Sequence, residues 1–494
     1  VIDGPAAALV FGYLAAALVI GAAAGRRGRG GAVDFVAGER AFGPVVMYFV
    51  LGATVFSAYA LLGTPQRVIS KGSDAFYILA YGAIGFVPIF FFGARVRRIG
   101  ARLGYVTQAE LVGGRFASRF VTGVMGAATL VSFLPYMVIQ LKGAGIVMQA
   151  VTGWSPVIGA GVVYAVVTAY VMIGGVRGVG WTNVVQGAAM LAVVWLLGLW
   201  IPHELFGGVA AMFDRVVAQA PAHLTLPGPP EAPTTALQYS SEVLVSALGF
   251  AMWPQIFMKC FTARSARLVQ LSAALYPTFL LFLVPLVLLG YAALLLPGAP
   301  RDETVLLWLV SQPSLGGPEG WPAAFVAFAV LAASMSTGDA LLHAGGSIAV
   351  RDVMIGGLGL DLPEQAQTRW MRAVILAMGL VGLGLLAIAD RWSVVDLLLL
   401  AFAIPIQFVP PTLLGLYWRR ASPRGARWGL GLGLGVVTGL FVASVAAPGL
   451  YAAVNPLGLQ IGVIGAVVNT LALVGLSLRD DLMAKSHLAR FEIT

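Results

Sequence analysis

Apolar runs of about 20 residues follow one another from end to end of the chain, each closed by a short polar segment. A helix of that length crosses a hydrocarbon core of ~30 Å at ~1.5 Å per residue. The runs are continuous and do not alternate, which predicts helices and not barrel strands. Thirteen spans are expected, near 6–25, 44–68, 74–94, 120–150, 155–175, 182–202, 240–262, 268–297, 322–346, 371–389, 395–417, 426–447 and 456–478. The longest gap, 203–238, is a Pro-rich loop (PAHLTLPGPPEAPTT). On the opposite side the longest segment, 95–119, is expected to hold a short interfacial helix near Thr107–Arg115. The fold class is therefore an all-α integral membrane protein in contact with the lipid bilayer.

Two spans carry interruptions. Gly52, Thr54, Ser57, Gly63, Thr64 and Pro65 break the second, and Gly249 and Pro254 break the seventh within GFAMWPQIFMKC. Backbone freed from helical bonding at membrane depth is tolerated only where it is buried or lines a cavity. Transporters use such breaks to bind ions through carbonyls and to aim helix ends at substrate. If the two breaks correspond, spans 2–6 and 7–11 are five-helix halves, and an odd number per half inverts one against the other. The alternative is that Gly and Pro are simply common in membrane helices. The organisation expected is 1–43 as first helix and loop, 44–202 and 240–417 as the two repeats, 203–239 as the intervening loop, and 418–494 as two additional helices and a tail.

Composition sharpens this picture. With 59% hydrophobic and 10% charged residues over 494, and a mean hydropathy of +0.90, a soluble globular protein is excluded. Alternating the spans puts 24 Lys and Arg on one side and 5 on the other, with Lys142 inside a span. That asymmetry predicts the N-terminus outside and the C-terminus inside. It also accounts for the net charge of +9 as loop charge facing an anionic leaflet, with no nucleic-acid partner needed. Arg26, Arg27 and Arg29 follow the first span while only Asp3 precedes it, the reverse of a secretory leader, so no cleaved signal peptide is expected. Cys260 is the only cysteine, which excludes disulfides within the chain and thiolate metal sites.

Polar groups inside the spans are the candidate chemistry, because burying them in a bilayer is costly. Ser336, Thr337, Asp339 and His343 interrupt FVAFAVLAASMSTGDALLHAGG. A hard cation such as Na⁺ takes several oxygen ligands. The carbonyl of Ala333 lies one turn before Ser336 and Thr337, and the broken second span could add the carbonyls of Ala53 and Phe56. The competing reading is that these hydroxyls bond back to their own helix. At about 100° per residue, Ser336, Asp339 and His343 share one stripe. They form a cation exit path or proton relay, or else Asp339 and His343 are a structural pair. In LPYMVIQLKGAG, Tyr136, Gln140 and Lys142 could meet a carboxylate, although Lys142 is close enough to the span's end to snorkel. Trp253 and Gln255 flank the second break and suit a small polar ligand or plain packing. Ser57, Tyr59 and Gln407 complete the polar side chains expected to face a substrate. GVRGVG at 175–180 lacks the βαβ setting of a nucleotide loop, and no catalytic arrangement is present, so an enzyme is not expected.

Several segments, in order along residues 34–430, resemble the sodium:solute symporter family. DFVAGERAFGP is similar to the family's F-x-A-G-R-x-x-G, and GATVFSAYALLGTP follows it. IGGVRGVGWTNVVQ matches G-G-x-x-x-x-x-W-T-D-x-x-Q, LAASMSTGDALL matches A-A-x-M-S-T-x-D, and QFVPPTLLGLYWRRASPRGA resembles the motif leaving span 11. The resemblance implies the inverted five-plus-five fold of the leucine transporter and alternating access. It also implies a sodium site on Ala53, Phe56, Ala333, Ser336 and Thr337, with Na⁺ as coupling ion and no other cofactor. One departure stands out: W-T-D reads Trp181-Thr182-Asn183, which puts a second cation step in doubt and joins Asn183 to the Asp339 and His343 question. GYVTQAELVGGRFASR and LPYMVIQLKGAG look most like bacterial monocarboxylate permeases, which implies a small organic acid as solute and the bacterial cytoplasmic membrane as location. Proline, alanine or histidine as solute, H⁺ as coupling ion, and a sensor module serving a partner kinase are the alternatives. The chain ends at RDDLMAKSHLARFEIT, so a signalling domain would have to come from a partner.

Overall fold

The computed structural model describes residues 4–26, 31–388 and 393–491. Asp3, Arg27, Arg29 and Arg391, which carry part of the charge argument, lie outside the described residues. The apolar segments fall on helices, whole or broken. Among the described residues nine helices qualify as spans by length and apolarity, or ten if the bent pair Ala236–Ala251 and Pro254–Thr262, angled by 42°, counts as one. Thirteen were expected, and the difference lies in breaks and fusions. Pro44–Val55 is too short alone because its helix stops at the break, and Ile461–Ser477 has only 17 residues. The expected spans 155–175 and 182–202 run together as Pro156–Phe206, interrupted at Gly175 with φ 51° and ψ −149°. That conformation is open to glycine and strained for other residues. It turns the chain where Phe35 packs against it.

The first broken helix comprises Pro44–Val55, an unwound stretch at Phe56–Ser57, and a wide turn at Tyr59–Gly63 that leads into Thr64–Lys71. The second comprises Ala236–Ala251, an interruption at Met252–Trp253, and the short helices Pro254–Phe257 and Lys259–Thr262. Proline in the first turn of each second half, Pro65 and Pro254, has no N–H for a new helix to leave unpaired. The broken helices are tied together by an isolated bridge: Phe42 N–H donates to Thr262 O at 3.1 Å, and Arg264 N–H to Phe42 O at 3.0 Å.

The helix Trp321–Ile348 is the centre of the bundle, with 89% of its apolar window buried, against 22% for Pro423–Ala446. It packs on Arg119–Thr152, on Pro156–Phe206 and on the first broken helix. Pro423–Ala446 and Ile461–Ser477 pack chiefly on each other at the periphery.

Basic residues gather at one end of the molecule, here termed the basic face. Arg40 donates to Gly100 O at 3.0 Å and Tyr105 O at 2.8 Å, Arg351 pairs with Glu110 at 2.6 Å, and Arg177 with Asp34 at 3.1 Å. A short helix, Gln108–Arg115, lies there, begun by a capping box in which Thr107 and Glu110 satisfy each other's backbone N–H groups. The central helix ends toward this face, so Asp339 and His343 lie successively nearer to it than Ser336 does.

Candidate functional site

Unwinding at Phe56–Ser57 strips the adjoining backbone of helical partners, and neighbouring helices supply replacements. Gln140 Oε1 accepts the Ala58 N–H at 3.1 Å, while its amide nitrogen donates to Tyr136 O at 3.1 Å. Ser334 donates to Gln140 O at 2.7 Å and fixes the central helix to the same point. Gly143 lets this helix approach, since a Cβ there would strike Ala58. Gln140, expected to face a substrate, is thus engaged in holding the break.

Across the break the central helix presents its hydroxyls. Ser336 Oγ donates to Ala53 O at 3.0 Å and also lies 3.1 Å from Ala333 O. Thr337 Oγ1 donates to Thr54 O at 3.0 Å. Both side chains are fully buried. A hydroxyl carries lone pairs besides its proton. Rotation of each O–H would turn the same oxygens, with the facing carbonyls, toward a cation between the helices. Four of the five expected atoms' residues therefore meet: Ala53, Ala333, Ser336 and Thr337. Phe56 lies at the break itself, with its N–H on Gly52 O at 3.2 Å and its ring stacked on Phe279 at 5.1 Å. Thr54, which sequence reasoning did not place at the ion site, takes part as well.

Beside this site lies a wall of aromatic rings. Tyr136 packs on Trp253 at 4.0 Å, Trp253 on Phe402 at 4.6 Å, and Phe86 on Tyr276 at 3.5 Å. The Tyr136 hydroxyl neighbours those of Ser57 and Thr337, which links the wall to the ion site. Among the described residues, Ser57 Oγ, Trp253 Nε1, both polar atoms of Gln255 and Tyr276 Oη are buried without a hydrogen-bond partner. Buried polar groups are rarely left unsatisfied, and each needs an explanation. Here they cluster on the two breaks and their aromatic lining. Tyr276 carried no polarity signal in the sequence beyond its place before Pro277.

Three expected substrate contacts lie elsewhere. Lys142 forms an ion pair with Glu303 at 3.2 Å, and the same Glu303 oxygen accepts Val394 N–H at 3.0 Å. The Gln407 side-chain amide donates to Gly462 O at 2.9 Å and its backbone carbonyl accepts from Asn469 at 2.7 Å, facing the peripheral helices. Tyr59 bonds the Tyr77 hydroxyl, and Tyr77's ring lies 4.2 Å from the Arg67 guanidinium. Arg67 itself is buried between Asp74 and Glu242.

One turn toward the basic face from Ser336, Asp339 accepts hydrogen bonds from Tyr170 at 2.8 Å, Thr182 at 3.1 Å and Asn183 at 3.1 Å. Asn183 also receives the Thr54 hydroxyl at 3.3 Å, which connects this cluster to the first broken helix. His343 does not bond Asp339; its Nε2 meets Phe35 O at 2.8 Å. Asp339 and Asn183 are therefore brought together and His343 is held apart. Tyr170 and Thr182 were missed, although each is a polar residue within an apolar run.

A broken helix that meets the buried central helix across an oxygen-lined site, with aromatic rings beside it, is the arrangement of a transporter. The chain matches the sodium:solute symporter family over residues 35–433 and belongs to that family. It is 24% identical to an uncharacterized symporter of Bacillus subtilis, YhjB, over 95% of this chain and 96% of that one. A monocarboxylate transport permease protein of Rhizobium johnstonii is 25% identical over 81% and 80% of the two chains. A monocarboxylic acid transporter of Corynebacterium glutamicum is 24% identical over 80% and 75%. Among solved structures, a substrate-bound, outward-open Na⁺-coupled sialic acid symporter superposes with a TM-score of 0.81 at 19% identity, over 97% of this chain and 98% of that one. The nucleobase-cation-symport transporter Mhp1 superposes at 0.53. The fold is thus the transporter fold expected from the sequence, and the protein is a multi-pass membrane protein.

Proposed function

We propose that the protein couples Na⁺ entry to uptake of a small monocarboxylate by alternating access. The observation that carries the ion is the pair of hydroxyls of Ser336 and Thr337, each 3.0 Å from a carbonyl freed at the break. Oxygen-only ligation in a buried site suits a hard monovalent cation. For the solute, the unpartnered donors Trp253 Nε1, Gln255 Nε2, Ser57 and Tyr276 suit a carboxylate, which accepts several hydrogen bonds and donates none. The two monocarboxylate transporters among the relatives support the same class. On this reading the repeats are 44–202 and 240–417, inverted about the two breaks. The basic face is cytoplasmic, and the membrane is the bacterial inner membrane.

The reading is tested by uptake into proteoliposomes. Labelled lactate, pyruvate, acetate, alanine and proline are offered with Na⁺ inside and outside varied and with choline as replacement. Na⁺-dependent accumulation of an acid is the expected result. Uptake indifferent to Na⁺ but driven by a pH gradient would reverse the ion assignment, and accumulation of alanine or proline alone would reverse the solute.

A further inference from the structure

The helix Pro423–Ala446 starts at the basic face, because Arg115 of the short helix there donates to Ala421 O at 3.4 Å, just before it. Arg424, Arg427, Trp428, Gly431 and Leu432 then recur at helical spacing and share one side of the helix. With Phe120, at the start of Arg119–Thr152, they line an open groove of about 740 Å³. The glycines on the other side, Gly425, Gly429 and Gly433, are taken up by the helix Ile461–Ser477, where a Cβ would strike Ser477 or Asn469. A Cβ at Gly431 or Gly435 would meet nothing within 4 Å. The floor of the groove therefore continues, bare and apolar, along the span beyond the arginines.

The two ends of the groove differ in chemistry. At the basic face stand two exposed guanidinium groups. Arg427 Nε donates to Pro423 O of its own helix at 3.2 Å, and Arg424 lies 3.8 Å from Asp480. Asp480 already accepts the Ser422 hydroxyl at 2.6 Å, and among the described residues it is the one carboxylate that either arginine meets. The head of the groove is thus cationic, and a guanidinium binds phosphate oxygens in its planar fork. Toward mid-span the lining turns apolar, with Trp428 58% exposed and Phe120 and Leu432 open beside it. Tryptophan at the end of a span marks the membrane–water interface. A soluble anion would use the arginines and leave the apolar floor bare. A second copy docked face to face would set arginine against arginine. An amphiphile with an anionic head matches both ends.

We infer that this groove binds an anionic glycerophospholipid, with its phosphodiester on Arg424 and Arg427 and an acyl chain along Trp428, Gly431 and Leu432. Pro423–Ala446 and Ile461–Ser477 pack chiefly on each other, so a lipid held against Phe120 also ties this peripheral pair to the helix Arg119–Thr152. The site is separate from the broken helices and stands whichever ion or solute the protein carries.

The test is native mass spectrometry of the full chain in detergent, titrated with phosphatidylglycerol and, separately, with phosphatidylcholine of the same acyl chains. Wild type should retain phosphatidylglycerol in preference. Arg424→Gln combined with Arg427→Gln should lower phosphatidylglycerol affinity about 25-fold, at about fivefold per arginine, and abolish the preference. Asp480→Asn, which removes the competing carboxylate, should raise that affinity. Gly431→Leu places its side chain in open space, so melting should be unchanged while phosphatidylglycerol retention falls. Equal retention of the two lipids by wild type, or unchanged retention in the double glutamine variant, would overturn the inference. Displacement of the lipid by excess inorganic phosphate would overturn it in favour of a soluble-anion site. A dimer that Gly431→Leu converts to monomer would overturn it in favour of a second copy.

Discussion

Thr337→Ala isolates the ion site most cleanly. The Thr337 hydroxyl gives its proton to Thr54 O alone, at 3.0 Å, whereas Ser336 divides its proton between Ala53 O and Ala333 O. Removing the Thr337 oxygen deletes a whole ligand and the cross-helix bond, and the methyl left behind cannot approach a cation. A hydrogen-bond-scale interaction with a charged group contributes about 1.5–3 kcal/mol. Na⁺ affinity should therefore fall roughly 10- to 150-fold. Without Na⁺, only a neutral bond is lost, so thermal stability in choline should fall by about 1 kcal/mol. Thr337→Ser, which keeps the oxygen, should stay near wild type. The assay is the Na⁺ dependence of uptake and of thermal stabilisation measured on the same preparations. An unchanged Na⁺ response in Thr337→Ala, beside a stability loss equal in both salts, would refute the ligand role and leave the hydroxyl as a helix-packing bond.

Four further outcomes are expected. Gln255→Leu removes two buried polar atoms that have no protein partner, so the fold should be unharmed or firmer while solute affinity falls by about 1–3 kcal/mol, read as a rise in KM with unaltered melting. Lys142→Met strands Glu303 with only Val394 N–H, so stability should fall by about 1.5–3 kcal/mol with solute KM unchanged, and Glu303→Gln in the same chain should recover part of it. Arg67→Met leaves the buried carboxylates of Asp74 and Glu242 without their shared cation and should cost about 3–5 kcal/mol, seen in thermal unfolding. Gly175→Ala forces a side chain into a left-handed conformation against Phe35 and should cost about 1–3 kcal/mol, with expression or melting as the readout.

Much of this protein is written locally. Hydropathy depends on composition within about 20 residues, so the apolar helices could be read directly. Gly and Pro flank both helix breaks, and Ser336 and Thr337 stood out because hydroxyls in an apolar run are unusual. The Gln108–Arg115 helix was legible because a capping box spans only four residues. What the chain alone left open were choices among distant partners. Lys142 could have met a solute, but Glu303, 161 positions away, takes it. Gln140 and Gln407 could have faced the cavity; one holds the break and the other faces the peripheral helices. Asp339 and His343 lie on one stripe, yet packing gives the first to Tyr170, Thr182 and Asn183 and the second to Phe35 O. Thr54 O joins the site because the break gives Ala58 N–H to Gln140 and leaves that carbonyl to Thr337. Side-chain polarity is a property of the residue and survives in the sequence. Which charge neutralises which depends on helices meeting across the bundle, and only the tertiary structure decides that.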